Sequence, residues 1–109
     1  MERVFKKLVR DNIPEIIRSK GEEAVTRVLD EEEYRSELYK KLLEESNEVI
    51  NAKDKDSLLE ELADVLEVLT SIIKLDNREL KDIVECANKK REKRGGFDNR
   101  IFLEKTYDK

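Results

Sequence analysis

The chain has 109 residues, 27 acidic and 23 basic, for a formal net charge of −4, and 46% of it is charged. It contains no His or Trp, one Cys and only three Gly and one Pro. This composition excludes an internal disulfide and a CxxC metal site, removes the usual neutral-pH base, and leaves too few turn residues for an all-β sandwich. No apolar run reaches the roughly 18 residues of a membrane span, and no signal-peptide core follows the start. The acidic excess argues against a general nucleic-acid binder. The expected location is cytoplasmic, and the length suits one domain spanning 1–109.

The apolar residues fall at helical spacing. Pro14 sits at a natural first helical position behind Asp11 or Asn12, and Ile13, Ile16 and Ile17 give a short helix its apolar side. Gly21 ends it. Residues 24–29 are short and β-branched and read as a strand. Asp30, with Glu33 in capping-box spacing, starts a long helix running to about Ala52. Residues 53–55 form a polar loop. Asp56 or Ser57, with Glu60, caps a third helix to about Leu75. Asp76 and Glu79 cap a fourth, which runs to Arg94 and stops at Gly95 and Gly96. Residues 100–105 read as a second strand, a candidate partner for 24–29. The fold class is all-α: an antiparallel bundle of one short and three long helices, with a minor two-stranded β element at most.

The informative residues are carboxylates on apolar faces. Projected at helical pitch, Tyr34, Leu38, Leu42 and Val49 share a stripe, and Glu45 falls in its middle, with Glu48 and Glu44 on one flank. On the next helix Leu58, Leu62, Val65, Leu69 and Ile72 make the stripe. Glu61 lies within the apolar arc and Asp64 just beyond it. Each helix thus aims acids three residues apart, one turn of about 5.4 Å, along its apolar side. Ionised carboxylates on such a face cost several kcal/mol unless compensated. Either their pKa values rise or cations bind among them. An all-oxygen set without His or Cys selects hard ions, Mg²⁺ or Mn²⁺. The competing reading is a solvated acidic surface, common in a chain this rich in Glu.

On the fourth helix the apolar stripe of Leu80, Ile83, Val84 and Ala87 continues as Lys90, Arg91 and Arg94. Such cations either complement the helix dipole or hold phosphate. Arg10 either pairs with a surface acid or sits at the mouth of a site as a lid or phosphate contact. Tyr34, Tyr39 and Phe97 are read as packing rather than base-stacking residues. Cys86 receives no role.

The stretch Glu44-Glu45-Ser46-Asn47-Glu48, followed after twelve residues by Glu61-Leu62-Ala63-Asp64, resembles the EExxE…ExxD signature of the all-α nucleoside triphosphate pyrophosphohydrolases. These include MazG proteins and phosphoribosyl-ATP pyrophosphohydrolase. Residues 7–17 and 90–97 resemble a narrower group of small MazG-like proteins. The resemblance implies a helical bundle assembled as a homodimer or homotetramer. It implies hydrolysis of the α–β phosphoanhydride of a nucleoside triphosphate to a monophosphate and pyrophosphate, with Mg²⁺ or Mn²⁺ as cofactor. By position, Glu45, Glu48, Glu61 and Asp64 would be metal ligands. Glu44 would support the site, and Glu44 or Glu48 would take the proton of the attacking water. Asn88, Lys90 and Arg94, with Arg10, would contact the substrate. Two alternatives stand beside this: phosphoribosyl-ATP hydrolysis, against which the extra segment 7–17 counts, and a non-catalytic helical oligomer or adaptor.

Overall fold

The computed structural model describes residues 1–109 and contains four helices and no strand: α1 (Ile13–Ser19), α2 (Glu31–Ile50), α3 (Lys55–Lys74) and α4 (Leu80–Arg94). The all-α expectation holds. The expected β element is absent. Residues 24–29 and 100–105 carry strand-forming side chains, but neither segment has a partner to complete a ladder, and Val25 and Val28 are 99% and 98% exposed. The chain divides into two compact units, Met1–Arg78 and Glu79–Lys109.

In the first unit, Asn12 precedes α1 and Pro14 lies in its first turn, but no side chain caps the helix. Beyond its end Gly21 takes the left-handed backbone (φ +88°) that a side chain would resist. Asp30 caps α2, its carboxylate accepting the Glu33 N–H at 2.8 Å. The cap of α3 is Asp54, which accepts the Ser57 N–H at 2.8 Å, not Asp56 or Ser57. Lys55 consequently belongs to the helix, α2 ends at Ile50 rather than about Ala52, and the connection is residues 51–54 instead of 53–55. The four-residue link returns α3 antiparallel along α2, and the two pack against each other. Leu38 on α2 and Val68 on α3 are the buried side chains, 3% and 8% exposed.

Burial on α3 is displaced from its sequence-derived stripe. Val68 is covered by α2, whereas Leu58, Leu59, Leu62 and Leu66 remain exposed. On α2, Tyr39, Leu43 and Ile50 are exposed as well.

In the second unit, α4 starts behind Glu79, whose N–H donates to Asp82 at 2.8 Å. Asp76 instead lies in the first unit and accepts from Arg35 at 3.0 Å. Gly95, at φ +82°, ends α4. No helix is long and apolar enough to cross a membrane.

The α2–α3 pair rests on its two caps. Asp54→Ala, or Asp30→Ala, is expected to cost about 1 kcal/mol, with Asp54→Asn retaining most of the stability. Thermal unfolding followed by circular dichroism measures both.

Candidate metal centre

The seam that buries Leu38 against Val68 also carries the acids. Glu45 lies two helical turns from Leu38 on α2, and Glu61 two turns from Val68 on α3, so both face the same seam nearer the connecting loop. One carboxylate oxygen each from Glu45, Glu61 and Asp64 lie within 4.8 Å of one another. All three residues are half-buried. Glu48, expected in this set, is exposed and falls outside the three-oxygen group. Its charge still acts on Glu61.

Charge is undercompensated at this point. Glu45 is held above its ordinary value of 4.5 by desolvation first, then by repulsion from Asp64, with Lys41 partly opposing. Glu61 is raised for the same reasons, by desolvation and then by the charges of Asp64, Glu48 and Glu60. The cations that are present sit around the rim. Lys41 lies 3.3 Å from Glu44 and 3.9 Å from Glu45, at the i,i+3 and i,i+4 positions of the same helix. Lys7 lies 3.8 Å from Glu44. Arg10 Nη2 donates to Asp64 Oδ1 at 2.7 Å. Glu44 therefore stands at the edge of the cluster, engaged by two lysines.

The donor set fits a hard divalent cation. It is all oxygen, excess in negative charge, and close enough for small side-chain rotations to bring three carboxylates around one ion.

The remaining expected contacts lie on α4 in the second unit. Asn88, Lys90 and Arg94 are exposed there, and the Asn88 carbonyl oxygen accepts from Arg91 at 3.3 Å. Of the aromatic residues, Tyr34 is half-buried, Tyr39 lies against Arg35 (3.4 Å), and Phe97 is exposed. Cys86 is free and exposed. Two residues of the cluster's rim were not among the expected site residues, Lys41 and Lys7. Lys41 was legible from its spacing to Glu44 and Glu45. Lys7 was not, because only the fold brings it to Glu44.

A curated protein of Mycolicibacterium smegmatis, itself uncharacterised, is 47% identical over 53 residues, covering 49% of this chain. The chain spans about half, 54%, of that relative's length. No solved structure matches the chain. The MazG nucleotide pyrophosphohydrolase domain matches residues 33–96, which include all five acids of the motif and run from α2 through α4. By that match, over more than half of its length, the chain belongs to the MazG nucleotide pyrophosphohydrolase family.

Proposed function

We propose that the protein is a divalent-metal-dependent nucleoside triphosphate pyrophosphohydrolase, acting in nucleotide house-cleaning in the cytoplasm, with residues 1–109 working as one MazG-like domain. The observation that carries this reading is the convergence of Glu45, Glu61 and Asp64 from two helices within 4.8 Å, inside the stretch matched by the family. The family supports nucleotide pyrophosphohydrolase chemistry, and the substrate and metal are our assignment.

In this reading Glu45, Glu61 and Asp64 would hold Mg²⁺ or Mn²⁺, and Glu48 is assigned to the same set by its place in the motif. When bound, the ion neutralises polyphosphate charge and makes a water more acidic. The chain's own groups do the rest. Glu44 or the free oxygen of Glu48 accepts the proton of the attacking water. Water adds at phosphorus, the α–β anhydride P–O bond breaks, and pyrophosphate leaves with its electron pair. By their order in the chain and the resemblance of residues 90–97, Lys90, Arg94 and Asn88 would bind substrate phosphates, and Arg10 would contact the polyphosphate. None of these roles requires a histidine.

Self-association completes the reading. A chain that buries two apolar side chains lacks the core to offset its conformational entropy. Leu58, Leu59, Leu62 and Leu66 occupy one side of α3, and a second copy of the same chain covers them as a homodimer or homotetramer. Sedimentation is expected to show an oligomer, and Leu62→Asp to dissociate and destabilise it.

With Mg²⁺ or Mn²⁺, a panel of nucleoside triphosphates yields monophosphate and pyrophosphate. Glu45→Gln or Glu61→Gln lowers the rate by at least about 100-fold while the fold persists, as expected for loss of metal-held charge stabilisation. Turnover of phosphoribosyl-ATP alone would reassign the substrate, and absence of both metal binding and turnover would leave an adaptor.

Stability should also respond to pH. The raised values of Glu45 and Glu61 mean that the folded metal-free state binds more protons than the unfolded chain above pH 4.5. These two groups therefore make metal-free stability fall as pH rises from 4.5 through their raised values. Glu61→Gln flattens that slope and raises the metal-free melting temperature at neutral pH, measured by calorimetry in chelator. Unfolding of Glu61→Gln would overturn this account.

A further inference from the structure

Residues 1–9 are held to the rest of the chain by side chains. None of their backbone groups joins a backbone hydrogen bond, and the first such bond in this region runs from the Ile13 N–H to the Arg10 carbonyl at 3.0 Å. Leu8 is half-buried, and three ion pairs tie the segment down: Arg3 with Glu22 at 2.8 Å, Lys7 with Glu44 at 3.8 Å, and, where the segment joins α1, Arg10 with Asp64 at 2.7 Å. The Arg10 pair reaches across 54 residues of sequence to one of the three clustered acids. Its side chains are 59% and 39% exposed. An ion pair this wet is a weak hold.

We infer that Arg10 is the resident counter-cation of the acidic cluster and that a divalent ion displaces it from Asp64. This rests on the metal-centre reading above. Asp64 is the shared partner. An ion drawn among Glu45, Glu61 and Asp64 satisfies the carboxylate that Arg10 now engages and repels the guanidinium beside it. Arg10 stays tethered through α1, three residues away, and its planar fork is then free for a phosphate arriving with the ion. Arg10 is a positioning residue for the empty cluster and a substrate contact for the loaded one. Coupling is reciprocal: whatever factor the ion exerts on the Arg10 pair, the pair exerts on the ion.

The test is calorimetric titration of Mn²⁺ into the full-length protein and three variants. Arg10→Gln removes the competitor and is expected to bind Mn²⁺ about two- to fivefold more tightly, the range an exposed pair can supply. Arg10→Lys keeps the charge and stays near wild type. Arg3→Gln, which lifts an equal charge from the same segment without touching the cluster, leaves affinity unchanged. In the second measurement, diamagnetic Mg²⁺ is added to ¹⁵N-labelled protein. The Arg10 Nε–H resonance, identified by its loss in Arg10→Gln, is expected to shift with the same midpoint as binding. If Mn²⁺ binding depends on Glu61 but is indifferent to Arg10→Gln, or the Arg10 resonance stays fixed at saturation, the displacement is overturned while the metal centre stands. If wild-type protein shows no Glu61-dependent binding, both fall.

Discussion

Everything in this molecule is arranged around one electrostatic problem: three carboxylates gathered on the seam where two antiparallel helices meet. An ordinary helix pair would continue Leu38 and Val68 toward the loop with further apolar side chains. This one places Glu45, Glu61 and Asp64 there. The seam is half-buried, so the charges lose hydration, and they repel each other across less than 5 Å. Lys41 and Arg10 offset part of this, and the rest appears as the raised protonation of Glu45 and Glu61. Such an arrangement is unfavourable for folding alone. It would favour a bound cation, because an ion placed there would remove a repulsion already built into the protein.

The thin core follows from the same geometry. Where acids occupy the seam, leucines cannot, and α3 turns four of them outward. The helix therefore has two working sides. One, through Val65, Val68 and the two acids, meets α2. The other, through Leu58, Leu59, Leu62 and Leu66, is the side we assign to a second copy. In the proposed reading, stability and ligand binding would be drawn from different faces of one helix.

The sequence exposed the parts governed by local rules. All four helices, the Asp30 cap and the glycine stop after Arg94 are local events, and hydrophobic periodicity singled out Glu45 and Glu61 as misplaced charges. Two kinds of feature escaped it. The cap of α3 lies at Asp54 rather than Asp56 or Ser57, because several neighbouring residues can all cap and only the backbone turn decides among them. The β-branched segment 24–29 suggested a strand, but a strand exists only with a partner, and pairing is a tertiary fact. Arg10 illustrates the second limit most clearly. Its sequence context favoured a pair with a surface acid over a contact at the mouth of a site. The fold shows that the acid it pairs with is Asp64 of the motif, a partner 54 residues away that sequence order does not reveal.

That coincidence bears on selectivity. A cluster of bare acids answers to any hard cation, whether or not a nucleotide accompanies it. The family match begins at residue 33, so Arg10 reaches the cluster from outside the matched stretch. With Arg10 seated on Asp64, a free ion must displace a favourable contact and leave a guanidinium without a partner. An ion that arrives with a polyphosphate supplies the missing partner. In the proposed displacement, the contact would handicap the metal alone and be neutral toward the metal–phosphate complex. A weak, solvated pair is suited to this role: it would bias the site modestly toward an ion that brings its own phosphate, where a much stronger pair would oppose the ion in either form.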